Sequence, residues 1–420
     1  MNFLPIPAIP TRGRARKVAV AALLVCCPLW AAAHGSADLA APELEEQPGL
    51  RFGAAVAVTY LHADAVLPSA RMDGFLLQGD EGIDRRRWGL EHGVLDAAWR
   101  WSPQWMAYAA VGKHGSDRAH TEAFWVQMRQ PQGDATWLLT AGRQRPAMGA
   151  VLERAGHFDR FALMPLAKQA TLGGDWMDDG VQLGWRGALA QWPVTLDVGL
   201  WKGEVFPGAA QGPVVPTLHI GTAATVAQGA LALDGFVAHL EPEGRGSRTS
   251  NVGGGHSHTA PLCNDSTLGK VACFDGRTDL AAASARWQGH DVPWVVSAAG
   301  WGRRDQGGLA SANSDSSYRG TSYGGWLEAR WQWRPRWEWG VRAEHVQASH
   351  SLQGPGAALL ATETRLDRYH RARRTATTLG YQLPQGVELQ LELGRESVAG
   401  QRQNYALLRG IWRLEKQVLP

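Results

Sequence analysis

Apolar and polar side chains alternate along most of the chain, from about Arg51 to Leu414, in segments of roughly ten residues. In the stretch "WLEARWQW", Leu327 and Trp331 fall on one face, while Glu328 and Arg330 fall on the other. Alternation with a period of two predicts β-strands. Tryptophan on one face and charge on the other is typical of a wall between lipid and water. The pattern therefore predicts a transmembrane β-barrel.

The number of segments and the links between them predict a topology. Links alternate between short and long, and the longest are 145–179 and 241–277. An even number of strands with short periplasmic turns and long external loops is typical of bacterial barrels. We therefore expect an all-β, closed antiparallel barrel of about sixteen strands over 51–420, with both ends in the periplasm. The predicted strands lie near 51–62, 86–101, 104–113, 119–129, 135–144, 180–187, 194–203, 217–226, 230–240, 278–287, 293–302, 321–333, 336–347, 372–382, 386–396 and 404–414.

The first residues have the order of a secretory signal. A basic region within 12–17 precedes an apolar run over 18–30 and three alanines at 31–33. The run is shorter than the ~20 residues that a membrane helix needs. We predict a signal peptide over 1–33, a periplasmic segment over 34–50, and a Gram-negative outer-membrane location. Without residues 1–33 the formal charge falls from +3 to −1, so the basic balance is no evidence for a nucleic-acid partner.

The link at 145–179 is too apolar for a solvated surface loop. Met148, Leu152, Phe158, Phe161 and Leu166 all lie within it, and they need a surface to pack against. The inner wall of the barrel provides such a surface. We therefore expect this third loop to fold into the lumen and to constrict it.

The sequences on either side of this loop resemble the phosphate- and polyphosphate-selective outer-membrane porins. The stretch "TAGRQRPAMG" precedes the loop and "WMDDGVQLGW" follows it. The resemblance implies a sixteen-stranded, usually homotrimeric porin in outer-membrane lipid, with no cofactor, whose third loop narrows a pore for small anionic solutes. The matching positions are Gly142, Arg143, Arg145, Pro146 and Gly149, followed by Gly180, Val181, Leu183 and Gly184.

Arginine supplies the candidate chemistry of the pore. Its guanidinium stays charged and offers a planar set of donors that suits phosphate and carboxylate. On the resemblance, the constriction candidates are Arg143, Arg145, Arg154, Arg160 and Lys168, and the wall candidates are Arg100, Arg129, Arg186, Arg286, Arg330 and Arg342. The alternative is a weakly selective pore, because inward-facing carboxylates can neutralise these arginines. Those carboxylates are Glu328, Glu338, Glu344, Glu388 and Glu392.

The link at 241–277 contains the other candidate chemistry. An oxidising cell surface favours a disulfide between Cys263 and Cys273, which would clamp this extracellular loop. His256 and His258 lie in the same Gly-rich stretch. They support an alternative function, uptake or capture of zinc or copper, with Asp265, Asp275 or His34 as further ligands.

Enzyme activity is the third hypothesis, and the sequence argues against it. Glu91 and His92 are neighbours, so they should face opposite sides of a strand and share no site. No nucleophile or nucleotide-binding motif is present. A catalytic group would require scattered residues such as His62, His92, Asp96 and His345 to converge at a rim. We therefore predict that the protein is not an enzyme.

The last predicted strand, near 404–414, is followed by "EKQVLP", which lacks the terminal aromatic residue common in such barrels.

Overall fold

The structure is a computed structural model that describes residues 48–70, 72–77, 88–115, 118–154, 156–249, 263–264, 270–368, 370–384 and 386–419. The predicted signal peptide over 1–33 and most of the segment 34–50 lie outside the described residues. The same holds for His34, His256, His258 and Asp265. These predictions therefore stay predictions.

The described chain forms one closed antiparallel sheet. Sixteen long strands make the ring, which closes where β17 pairs with β1, and the short β10 adds to the end of β11. The predicted barrel is confirmed; β10 was not predicted. In chain order the strands are β1 Gly49–Ala63, β2 Trp88–Arg100, β3 Trp105–His114, β4 His120–Gln132, β5 Ala135–Gln144, β6 Asp178–Leu189, β7 Trp192–Trp201, β8 Val215–Val226, β9 Gly229–Leu240, β10 Arg245–Arg248, β11 Val271–Gly289, β12 Trp294–Ala310, β13 Asp315–Arg334, β14 Trp337–Gln353, β15 Arg371–Gln382, β16 Val387–Val398 and β17 Gln401–Leu419.

The helices are short. They are the 3-10 turn Pro68–Ala70, α1 Leu166–Leu172 and α2 Ala357–Glu363. Within the described ranges, no helix has the length and apolar character needed to cross a membrane.

The two faces of the wall differ as the alternation predicts. Leu95, Phe124 and Leu327 are more than half exposed on the outer face, which suits contact with lipid acyl chains. Tryptophans gather at the end of the barrel with the short turns, as in the stacked pair Trp294 and Trp331, whose rings are 5.5 Å apart. Amphipathic rings at that level are typical of a membrane–water interface. The outer surface is therefore built for a bilayer.

Strands β11 to β14 and the last strand are longer than predicted. Each of β11 to β14 extends beyond the alternating apolar segment because its neighbour continues to offer hydrogen-bonding partners. The placement of the last strand at 404–414 was too short for the same reason. Strand β17 runs to Leu419, which pairs with Leu50 of β1, so the residues after 414 belong to the wall.

An apolar core lies inside the ring, where the links after β1 and β5 meet. Met72 and Phe75 of the first link and Leu152, Leu166 and Trp176 of the second are all almost fully buried in one cluster. Wall residues that share this cluster include Trp201, Phe236 and Trp301. Two links that leave neighbouring sectors of the wall are thus held together by hydrophobic burial.

Candidate functional site: the lumen segment and its charged wall

The central feature of the barrel is the stretch 145–177, called here the lumen segment. It leaves β5 and returns to β6, yet its helix α1 contacts β12, β13, β14 and β15. Helix α1 begins after Pro165 and is capped by Gly173, whose φ of 69° is a left-handed conformation that glycine adopts without strain. All seven residues of α1 are buried. The segment therefore crosses to the far sector of the wall and packs there.

Arginines of the wall hold the backbone of the lumen segment. Each of β14, β15 and β17 sends at least one buried or half-buried guanidinium to its carbonyl oxygens. The bonds run from Arg342 to Leu163 (2.7 Å), from Arg374 to Met164 (2.9 Å), from Arg409 to Gly156 (2.7 Å) and His157 (3.1 Å), and from Arg413 to Phe158 (2.8 Å). Charged donors strengthen such hydrogen bonds. These arginines therefore act as supports for the segment.

Carboxylates of the same wall bind the segment's backbone amides. Leu166 donates its N–H to Glu344 (2.6 Å), and Ala162 donates to Glu392 (2.8 Å). The carboxylate of Glu344 also lies 2.9 Å from the guanidinium of Arg342. Both signs of charge are thus used on backbone groups that would otherwise be buried without partners.

The first link, 64–77, docks in the same way, although no pattern in its sequence predicts this. Arg303 donates to the carbonyl oxygens of Leu76 (2.7 Å) and Thr171 (3.1 Å), and it therefore joins the first link to the lumen segment. Ser69 donates its N–H to Glu396 (2.7 Å). Arg303 lies in "GWGRR", which reads as an ordinary strand end, because a strand pattern does not show what lies across the lumen.

Two of the predicted constriction residues form a buried structural group. Arg145 and Lys168 both bind Asp175, with distances of 3.1 Å to Oδ1 from each. Lys168 is fully buried and also donates to the carbonyl oxygens of Glu153 and Arg154. Burial alone would raise the pKa of Asp175, but the charges of Arg145 and Lys168 outweigh it and hold that pKa below its usual value. The expectation that Arg145 and Lys168 face passing solutes was wrong, because both cations pair with Asp175 within the segment.

Arg143 is also misplaced by the sequence prediction. It stands opposite Phe124 in the β4–β5 pair, and directly opposite residues share a face. Phe124 is 61% exposed on the outer wall, so Arg143 points outward, near Asp179 at 3.7 Å. Arg143 therefore does not belong to the constriction. A one-residue error in assigning the inward face is enough to reverse a side chain.

The two remaining constriction candidates, Arg154 and Arg160, meet the wall in what is called here the guanidinium patch. Arg154 lies 2.7 Å from Glu328, and Arg160 lies 2.5 Å from Glu338 and also contacts Glu388. These side chains keep partial access to water, since Arg154 is 12% and Arg160 is 18% exposed. The patch consists of Arg154, Arg160, Arg286, Arg330 and Arg413 with Glu328, Glu338 and Glu388.

The patch carries a positive excess, since five guanidinium groups face three carboxylates. Arg330 is shared between Glu328 (3.4 Å) and Glu338 (3.7 Å). Arg286 has Arg330 and Arg154 as charged neighbours. Of the predicted wall arginines, Arg286 and Arg330 are therefore placed where they could attract an anion.

The other predicted wall arginines are engaged elsewhere. Arg342 supports the lumen segment, as described above. Arg100 is buried at the turn after β2, where it donates to Pro103 (3.1 Å), and Arg186 pairs with Asp197 (2.8 Å). Arg129 is half-buried in β4 and has interactions of its own.

The predicted disulfide is present between Cys263 and Cys273, with Cα atoms 5.8 Å apart. It fastens the described part of the 241–270 connection to the start of β11.

No protein-family model matches the sequence, and no curated protein matches it. Solved structures match over most of its length. The trimer form of OmpT, an outer membrane protein of Vibrio cholerae, has a TM-score of 0.50 at 9% identity, over 87% of this chain and 99% of that one. A loop-deletion mutant of the same protein has the same TM-score and identity over 88% and 99%. Pseudomonas putida OprB has a TM-score of 0.49 at 11% identity over 88% and 94%.

The likeness at this identity shows the fold alone: the chain has the closed β-barrel fold of these outer-membrane proteins. It also corrects one prediction. The exclusion of enzyme activity is withdrawn, because two OmpT structures of Vibrio cholerae share this fold and a barrel fold does not by itself separate catalysts from pores. The prediction that Glu91 and His92 face opposite sides of a strand is also wrong. A β-bulge in β2 lies at these residues, and both side chains are buried on the inner side.

Proposed function

We propose that the protein is an outer-membrane porin through which small solutes diffuse passively. The observation that carries this proposal is the lumen segment, which leaves one sector of the ring and is fastened to another by wall arginines and glutamates. A segment so placed narrows the space inside the ring without energy input or a cofactor. Short periplasmic turns and longer external connections would put both ends of the barrel in the periplasm.

We further propose that the pore prefers anions, in keeping with the resemblance to phosphate-selective porins. The support is the guanidinium patch, where Arg286 and Arg330 belong to a positive excess that stays partly exposed. The other arginines of the lumen are largely paired or used as supports, so a weak preference for small anions is expected rather than a strict filter. Charged rings in pores act in this way on passing ions.

A homotrimer in outer-membrane lipid completes the proposal. The Vibrio cholerae OmpT structure is described as a trimer form, and it has the same fold. The outer wall of this barrel offers a broad apolar surface for lipid or for a second copy, which includes Ile220, Val237 and Tyr323.

The deciding experiment is single-channel recording in planar bilayers under a salt gradient. Discrete conductance steps with a reversal potential on the anion side are expected for the natural chain. Arg286→Gln should move the reversal potential towards cation preference, whereas Arg395→Gln, on the exposed outer face of β16, should leave it unchanged. A folded barrel that gives no steps would overturn the porin proposal. Equal shifts in both variants would overturn the role of the patch.

A further inference from the structure

Four histidines and a glutamate meet where the lumen segment touches β2, β3 and β4. They are His92 of β2, His114 of β3, His120 and Glu122 of β4, and His157 of the lumen segment, called here the histidine cluster. His92, His114 and Glu122 are almost fully buried. The function proposed above makes no use of these residues.

Three imidazoles lie close to one oxygen atom. The Nε2 atoms of His92, His114 and His120 lie 3.3, 3.0 and 3.1 Å from Oε1 of Glu122. A carboxylate oxygen has about two lone-pair sites, so three imidazoles cannot all donate good hydrogen bonds to it. Hydrogen bonding alone therefore does not account for the convergence.

A shared metal ion accounts for these distances. Zinc binds imidazole nitrogen and carboxylate oxygen at about 2.0–2.2 Å in a tetrahedron, whose edges are then about 3.3–3.5 Å. The three measured separations are close to that edge length. Among the described residues, the buried Nδ1 of His92 has no hydrogen-bond partner. Such a buried polar ring is costly unless its other nitrogen gains a strong interaction, as a metal bond would provide.

The backbone is distorted in a way that builds this arrangement. In β2 the pairing with β1 shifts between Ala57 and Val58, which leaves Glu91 as the extra residue and turns it inward beside His92. In β4 the pairing with β3 skips Glu122, so Glu122 and the following alanine both face inward. Bulges next to functional sites re-aim side chains in this way.

The neighbouring strand leaves room for the carboxylate. A Cβ atom at Gly112 of β3 would lie 2.1 Å from Oε1 of Glu122 and 2.6 Å from its Cγ. Only glycine at this position lets Glu122 occupy the centre of the cluster. Two bulges and one glycine thus act together on a single carboxylate.

The lumen segment closes the site from inside. The ring of His157 lies 4.8 Å from that of His92 and 4.7 Å from that of His114, between ring centres. Ligand atoms of these three residues lie within 4.8 Å of one another. Phe158 stacks on His92 at 5.1 Å and shields it from water. His157 is therefore placed to join, or to exchange for, one of the wall ligands.

We propose that His114, His120 and Glu122 form a binding site for a divalent transition metal, most suitably Zn²⁺, and that His92 and His157, which lie close to His114, link this site to the lumen segment. Imidazole and carboxylate together suit zinc better than magnesium or calcium, which prefer oxygen ligands alone. The site differs from the one predicted around His256 and His258. It holds whether or not the barrel conducts.

The test is zinc titration of the full chain, folded in detergent micelles and stripped of metal, with bound zinc measured by mass spectrometry and calorimetry. We expect about one equivalent per chain, with histidine and carboxylate ligands. Glu122→Gln and His114→Ala should each weaken binding by at least about tenfold. His62→Ala, at an exposed position of β1, and the double variant His256→Ala with His258→Ala should bind as the natural chain does.

Retention of stoichiometric zinc in Glu122→Gln and His114→Ala, or its loss in the His256/His258 double variant, would overturn the proposal. If either cluster variant fails to fold, Co²⁺ added to the natural chain keeps the proposal testable. Tetrahedral Co²⁺ gives strong visible absorption, whereas octahedral Co²⁺ gives weak absorption. A spectrum without the tetrahedral bands would reject the site, and their displacement by Zn²⁺ would support it.

Discussion

The lumen segment is attached to the wall in two chemically different ways. At the guanidinium patch, Arg154 and Arg160 meet glutamates of β13, β14 and β16, and every cation there is a guanidinium. At the histidine cluster, His157 meets His92 of β2 and His114 of β3, whose imidazoles offer nitrogen ligands. The patch carries fixed charge and some access to water, whereas the cluster offers imidazole and carboxylate ligands that are mostly buried. Fixed accessible charge suits a passing ion, and converging metal ligands suit a resident one.

The largest expected effect comes from removing the support on which both attachments depend. Arg409 is fully buried, binds the carbonyl oxygens of Gly156 and His157, and pairs with Glu91 at 3.2 Å. Arg409→Ala leaves that carboxylate and those carbonyls without their partner, at a cost of about 3–5 kcal/mol. We expect a lower unfolding midpoint, larger and noisier conductance steps, and weaker zinc binding. Arg395→Ala, on the outer face, should change none of these three quantities. If Arg409→Ala also leaves them unchanged, Arg409 does not support the lumen segment.

A more selective change acts on the histidine cluster alone. Gly112→Ala places a methyl group where the Glu122 carboxylate lies, so the carboxylate must move while all four histidines remain. We expect zinc affinity to fall by about 10–100-fold, as for other changes around metal ligands, with ion selectivity unchanged. Gly93→Ala is the matched control, since its Cβ would meet only Cδ1 of Leu90 at an ordinary 3.8 Å. Equal affinities in the two variants would contradict the placement of Glu122.

The guanidinium patch can be changed in the opposite direction. Glu338 contacts both Arg160 and Arg330, so Glu338→Gln raises the positive excess by one charge. One charge about 5 Å away across water is worth about 0.8 kcal/mol, or at most about fourfold in the permeability ratio of anion to cation. Reversal potentials should therefore shift towards anions, opposite to the shift for Arg286→Gln. Shifts of the same sign in both variants would show that the patch does not set selectivity.

The smallest expected effect concerns the buried group of Arg145, Asp175 and Lys168, whose pairing should not change with pH near neutrality. The pKa of Asp175 is depressed, so its pairing with Arg145 and Lys168 stabilises the fold above the ordinary carboxyl range and is lost only as the pH falls through the lower folded pKa. Conductance of the metal-free barrel should therefore stay constant between pH 8 and pH 5. A change in conductance within this interval would show that the group of Arg145, Asp175 and Lys168 does not hold the segment in place.

The wall was predictable from sequence, whereas the attachments were not. Lipid outside and water inside impose the alternation of residues such as Leu327 and Glu328, so the strand positions follow from local pattern alone. The role of Lys168 depends on Asp175 and on backbone groups buried with it, which a local pattern cannot contain. Arg143 and Arg145 fall two residues apart at the end of β5, and only the fold shows that one faces outward and the other lies in a buried pair.

The sequence does not predict the histidine cluster, because the alternation of inward and outward side chains is interrupted in β2 and β4. Regular alternation separates Glu91 from His92, but a bulge brings both inward. The sequence does hold a faint signal, the pair His120 and Glu122 two residues apart, with His114 just before the preceding turn. That spacing alone does not predict a site, because only the closed ring brings His92 and His157 close to these residues.

The seam between β1 and β17 has a consequence for how the molecule is made. Leu61 of β1 pairs with Leu407 of β17, and neither strand has another way to complete its second edge within the described ring. All sixteen strands must therefore be in place before the cylinder can shut, and contacts this remote in sequence form slowly. Until then, two unsatisfied strand edges are open to pairing with other chains. Loss of β17 should accordingly be seen as aggregation and degradation rather than as a leaky pore.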